Sequence, residues 1–213
     1  MHAMLAWLGA FWASFGACFA ATRSARRACD LVGLAHHALV VVLAALAVAE
    51  SPEIMLCGEG CFAATSRRAV ELHDLNVGYF AYDAVLVAMY YPKFIAHHAI
   101  ALCALSLLSW SGSGMLANTV TMLLTEIGGV AYVAYTLHRT RAAYATFVAF
   151  YALTRAALVV WTWRTVVHAL YAPSFVYLAI AALHIALASV NVAFCAHHMR
   201  KVVAAGVFTS HTA

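Results

Sequence analysis

The sequence predicts an all-α integral membrane protein. It reads as a single transmembrane domain over residues 1–213, with about seven transmembrane helices and six as the other count the length allows. Three observations carry this. Of the 213 residues, 66% are hydrophobic and 9% charged, with a mean hydropathy of +0.88; soluble domains carry about 25% charged residues. The apolar runs are long and unalternating, as at 38–49 and 178–188, whereas barrel strands alternate over about ten residues. At roughly 20 residues per spanning helix, the chain accommodates six or seven passes.

The predicted spans are 4–21, 28–49, 75–91, 94–110, 115–137, 142–167 and 175–199. The basic cluster Arg23, Arg26 and Arg27 follows the first apolar run instead of preceding it, so that run is expected to remain a helix and not to be a cleaved signal peptide. Pro92 separates the third and fourth spans, because it cannot donate a backbone hydrogen bond. Ser111-Gly112-Ser113-Gly114 forms a turn before the fifth. Pro173 sits at the first turn of the seventh, where a missing N–H costs least.

Basic residues set the topology. With seven passes, Arg23, Arg26, Arg27, Lys93, Arg139, Arg141, Arg200 and Lys201 fall on the cytosolic side. Arg67 and Arg68 lie on the opposite side with Glu50, Glu53, Glu59, Glu71 and Asp74. The N-terminus is then outside and the C-terminus inside. The net charge of +4 is scattered among apolar runs and makes no basic patch, so no nucleic acid is expected. Cys18, Cys29, Cys103 and Cys195 lie within or beside helices and read as small apolar residues. Cys57 and Cys61 share the longest outside loop, where a disulfide and free thiols both stay open; a zinc site there lacks a second ligand pair.

Charge inside a membrane helix costs about 2.5–3.5 kcal/mol on insertion scales, so each instance needs a reason. Asp83, Glu126 and Arg155 stand at similar depths in spans three, five and six. Arg155 is expected to pair with Glu126 or Asp83. Polar stripes surround these charges at helical spacing: Tyr79, Asp83 and Tyr90 on span three, and Asn118, Thr121, Thr125, Gly128 and Tyr132 on span five. Tyr144, Tyr151, Arg155 and Thr162 follow on span six, then Tyr177, His184, Asn191 and His198 on span seven. Four helices turning polar stripes inward point to a central cavity.

Twelve histidines include the pairs His36-His37, His97-His98 and His197-His198. Helical neighbours diverge by about 100°, so one member of each pair is expected to face a given site, His98 in the second pair. No box of histidines three or four residues apart supports a di-iron centre. A haem held by His98 and His184 has no further support, and His36-His37 and His197-His198 read as interfacial or core histidines. No cofactor and no metal are expected.

Four short segments resemble the TLC domain, the lipid-associated domain of ceramide synthases and several smaller membrane proteins. They are Gly78-Tyr79-Phe80-Ala81-Tyr82-Asp83, His97-His98, Leu123-Leu124-Thr125-Glu126 and Phe150-Tyr151-Ala152-Leu153-Thr154-Arg155, in this order over the stretch from Leu75 to about Val166. The likeness is nearer to the small TLC-domain proteins than to ceramide synthases proper. It implies a TLC-type bundle around a central cavity, with a core at about 75–200 preceded by two additional spans, 4–21 and 28–49. It also implies an acyl lipid in that cavity, whose wall the charges and the polar stripes around them supply through Tyr79, Tyr90, Thr125, Glu126, Tyr151, Arg155, His184 and Asn191. Carried over by position, acyl transfer from acyl-CoA to a long-chain base would fall on His97 and His98, with Asp83 and Glu126 as orienting acids.

The resemblance thus implies a lipid-handling protein in an endomembrane, the endoplasmic reticulum first, and leaves open whether the lipid is only bound or also modified. Its partner is a membrane lipid or acyl chain, with acyl-CoA added in the enzymatic reading. A competing reading is a non-catalytic subunit packed against partner membrane proteins, in the inner membrane of a mitochondrion or another energy-transducing organelle. The short chain without a soluble domain fits that reading too.

Overall fold

The computed structural model describes residues 2–56, 62 and 65–204. It holds seven α-helices: α1 (His2–Thr22), α2 (Ala25–Glu50), α3 (Arg67–Tyr90), α4 (Ile95–Ser111), α5 (Met115–His138), α6 (Arg141–Tyr171) and α7 (Phe175–Ala204). No strand occurs among the described residues. Single 3₁₀ turns lie at Pro52–Leu56 and Pro92–Phe94. Hydroxyl side chains start four of the helices: Ser24, Ser66, Thr140 and Ser174 accept from the backbone N–H three residues on, at 3.1–3.3 Å. The fold is an all-α membrane bundle. Cys57 and Cys61 lie outside the described residues; Cys18, Cys29, Cys103 and Cys195 are free thiols.

Six of the helices are long and apolar enough to cross a membrane; α3 is the exception. His73, Asp74, Asn76 and Asp83 interrupt its apolar run, and it begins eight residues before the predicted span, at Arg67. Packing compensates. α3 is flanked by α1, α2 and α4 and buries Leu72, Leu75, Tyr79, Tyr82 and Leu86 against them.

The neighbours close a ring. α2 packs on α5, α5 on α6, α6 on α7, α7 on α4, α4 on α3, and α3 on α2. α1 lies outside, in the groove between α2 and α3, and buries only Phe11. Gly78 permits its approach, since a Cβ there would lie 2.8 Å from Trp7 Cβ and 3.0 Å from the Met4 carbonyl oxygen. The two leading helices therefore differ from their expectation as a pair of extra spans. α1 stands outside, while α2 is a member of the ring.

Apolar clusters hold the ring on both sides of its polar middle. Val40, Leu72, Tyr82 and Leu105 form one. Phe62, Leu116, Trp161 and Ile180 form a second towards the other end. Phe147, Val148 and Val202 form a third between α6 and α7.

Candidate functional site

Inside the ring is a cavity of about 340 Å³, within the roughly 300–1,000 Å³ of small-ligand sites. All six ring helices contribute to its wall and α1 does not. The lining starts near the first turns of α2 (Cys29, Asp30) and includes the α3–α4 turn (Tyr91, Lys93, Phe94). It thus occupies the end of the bundle where Arg139, Arg141, Arg200 and Lys201 also lie. Lys93 is exposed and lines the cavity, so the cavity reaches the surface there. Its ammonium lies 4.8–5.9 Å from the ring centres of Phe94, Phe194 and Tyr132, within cation–π range. Across the mouth, the Tyr91 hydroxyl donates to Asp30 Oδ1 at 3.0 Å.

Two imidazole–carboxylate couples sit deeper. In the first, His98 on α4 turns Nε2 to Asp83 Oδ2 at 2.7 Å and Nδ1 to the Phe94 carbonyl oxygen at 3.1 Å. A carbonyl oxygen only accepts, so Nδ1 carries a proton and donates it. Nε2 and the carboxylate then share a second proton between them. Both ring nitrogens of His98 are therefore engaged. His97 lines the same cavity with its ring centre 5.4 Å from that of His98, and neither of its ring nitrogens is hydrogen-bonded to another described residue. Both histidines reach the cavity, where the helical divergence had predicted one. The cavity curves round the first turn of α4, and its wall runs from Phe94 through His97 and His98.

The second couple is His37 on α2 with Glu126 on α5, through Nδ1 and Oε2. Gly129 makes room for it: a Cβ at that position would sit 2.8 Å from His37 Nδ1. Glu126 is 5% exposed. The partner of this acid is thus a histidine from a helix expected to stand outside the core, and the core or interfacial reading of His37 gives way to a cavity position.

Arg155 corrects another expectation. It forms an ion pair with neither Glu126 nor Asp83, both of which are taken by histidines. Its Nη1 donates instead to the carbonyl oxygens of Leu124 (2.9 Å) and Thr125 (3.2 Å) and to Thr154 Oγ1 (3.2 Å). The guanidinium carbon lies 3.8 Å from the centre of the Tyr151 ring. The Tyr151 hydroxyl donates to Asn191 Oδ1 at 2.9 Å, which carries the connection to α7.

Of the residues expected in the cavity, Tyr79, Asp83, His97, His98, Thr125, Glu126, Tyr151, Arg155 and Asn191 line it, and Tyr90 and His184 do not. Tyr90 ends α3, one turn beyond Val87, where the cavity wall passes to Tyr91. His184 is two turns from Asn191 towards the other end of α7. There it is sealed between the hydroxyls of Thr121 and Thr165, each at 3.4 Å, so it cannot share a haem with His98. His37, Asp30 and Lys93 are cavity residues that the polar stripes did not select. The only sequence signal for His37 was its adjacency to His36. Compared with family models, curated proteins and solved structures, the chain matches none of them.

Proposed function

We propose that this membrane protein handles an acyl lipid in the ring cavity and transfers its acyl group, with His97 as the nucleophile or base and the His98–Asp83 couple as the proton donor beside it. The observation that carries the reading is the contrast between the two adjacent histidines. His98 is fixed by acceptors on both nitrogens, and His97 is left free on the same wall. Free imidazole attacks or deprotonates near neutral pH. With an acyl thioester, His97 attacks the carbonyl carbon and the C–S bond breaks. The thiolate takes the proton shared by His98 and Asp83. An acceptor amine or hydroxyl then takes the acyl group from the imidazole, and its released proton returns to the couple.

Two further features support the reading. The basic end of the bundle and the exposed Lys93 at the mouth suit the phosphates of an acyl-CoA or an anionic headgroup. The apolar wall of Phe80, Val87, Val133 and Phe194 suits an acyl chain. The TLC resemblance of the segments around Asp83, His97-His98, Glu126 and Arg155 agrees with this chemistry, and on that resemblance we assign the protein to an endomembrane, the endoplasmic reticulum first. Mass spectrometry of lipid extracted from detergent-purified protein is the test, followed by incubation with labelled acyl-CoA. A co-purifying acyl lipid is expected. His97→Ala should lower acyl transfer by about a hundredfold or more with the unfolding temperature retained. A purified protein that carries no acyl lipid and neither binds nor consumes acyl-CoA would refute the proposal.

A further inference from the structure

We infer that His36, His37 and Glu126 form a binding site for one divalent transition-metal ion, of the zinc class, on the wall of the ring between α2 and α5. This goes beyond the lipid reading and does not rest on it. One ligand atom from each of the three residues lies within 4.8 Å of the others. In a tetrahedral site with bonds of about 2.0–2.1 Å, ligand atoms stand about 3.3 Å apart, so small rotations of the His37 and Glu126 side chains bring the three into place. Two imidazoles and one carboxylate are the donor set that zinc, iron and cobalt accept.

The polar groups behind His36 prepare it for this role. Asn76 Nδ2 donates to the Leu72 carbonyl oxygen at 2.8 Å, which fixes the orientation of the amide. Its Oδ1 then accepts from His36 Nε2 at 3.1 Å. Nε2 therefore carries the ring proton, and Nδ1 presents a bare lone pair. That Nδ1 is buried with no hydrogen-bond partner, in a residue only 1% exposed. Ring orientation is fixed as well: His36 stacks face to face on Tyr79 with centres 3.5 Å apart, and the edge of Phe11 closes on it at 5.8 Å. A ligating histidine whose other nitrogen donates to a fixed acceptor is the usual outer-shell arrangement of metal sites. On the opposite side, His37 already points a nitrogen at Glu126. The ion would replace the proton between them and gain the His36 lone pair as its third donor. Because His37 and Glu126 line the cavity, an ion can enter from it, and its remaining positions would face the cavity.

The test uses full-length protein purified in detergent without a histidine tag and stripped with a chelator. Titration with Co²⁺ should give one ion per chain with the visible bands of a low-coordinate site, displaced by one equivalent of Zn²⁺. X-ray absorption on the zinc-loaded wild type should show two imidazoles. Glu126→Gln and His37→Asn should each weaken binding by at least about a hundredfold while keeping the helical circular dichroism. Substoichiometric binding by the wild type, fewer than two imidazoles in its absorption spectrum, or equal binding by wild type and folded variants would each overturn the site. The wild-type measurements decide the matter even where a variant fails to fold. Co-purified lipid scores the acyl-lipid reading separately.

Discussion

Replacing Arg155 with methionine separates two accounts of the buried charge. Had Arg155 been one half of an ion pair, its removal would strand a buried carboxylate and cost about 3–5 kcal/mol. The observed environment gives a smaller figure. Nη1 makes three hydrogen bonds to neutral acceptors, together worth about 2–3 kcal/mol net. The contact with the Tyr151 ring at 3.8 Å adds about 2 kcal/mol in a desolvated setting. Against these stands the insertion cost of an unpaired cation, about 2.5–3.5 kcal/mol, which methionine relieves at similar volume. Nε, buried without a partner, gains nothing back. The Leu124 and Thr125 carbonyls stay within the α5 ladder and are not orphaned. The balance is a loss of about 1–2 kcal/mol, a fall of roughly 2–8 °C in unfolding temperature for a chain of this size. Thermal unfolding in detergent, followed by circular dichroism at fixed lipid content, measures it. A loss of 3–5 kcal/mol in Arg155→Met that is reversed by a second change, Glu126→Gln or Asp83→Asn, would refute the reasoning and restore the ion pair.

The topology and the position of α1 are open to equally direct checks. Cysteines placed by Arg67→Cys and Arg139→Cys, in a background lacking the native cysteines, are separated by α3, α4 and α5, so they should react with impermeant reagents from opposite sides of sealed vesicles; labelling from the same side would show that α3 does not cross. Gly78→Val should push α1 from its groove, given the 2.8 Å approach to Trp7 Cβ, at about 1–3 kcal/mol for the overpacking. Proteolysis within α1 should rise while cavity ligands are retained, and an unchanged α1 would mean that the close approach is readily relaxed.

Helical spacing made much of the cavity legible, and the limits of spacing explain what it missed. Periodicity reports the face of a helix on which a residue lies. It found Tyr79 with Asp83, Tyr151 with Arg155, and Asn191. Depth along the axis is a separate coordinate. His184 shares a face with Asn191, yet it sits two turns beyond the cavity, and Tyr90 at the end of α3 packs on the apolar cluster of Tyr82 and Leu86 while Tyr91 takes the cavity wall. Partner choice is not periodic at all. Glu126 meets His37 from 89 residues away, and the adjacency of His36 and His37 gave no hint of which helix would face them. The resemblance began at Leu75, which left α2 outside the expected core although the ring cannot close without it. The apolar run likewise missed the start of α3, whose first eight residues include Arg67, Arg68, Glu71, His73 and Asp74.

The polar residues also account for the order of the ring. In a bilayer, apolar helix faces gain little from one another over lipid, so apolar packing alone chooses neighbours weakly. Among the described residues, five of the six ring interfaces carry a polar tie. His37 meets Glu126 between α2 and α5, and Arg155 meets the α5 carbonyls between α5 and α6. Tyr151 meets Asn191 between α6 and α7, and Asp83 meets His98 between α3 and α4. His36 meets Asn76 between α2 and α3. The sixth interface, α4 with α7, is closed by apolar packing, with Leu108 in one cluster with Ile180 and Ala181, and next to it Phe94 of the turn before α4 lies 5.5 Å from Phe194. α1 is held by aromatic packing against α2 and α3, and it is the helix left outside. A neighbour exchange within the ring would strand a buried histidine, carboxylate or amide without a partner, at about 1–3 kcal/mol for each neutral group and more for a charged one. Side chains that line the cavity, His37, Glu126, Asp83, His98, Tyr151, Arg155 and Asn191, thus also fix which helices surround it.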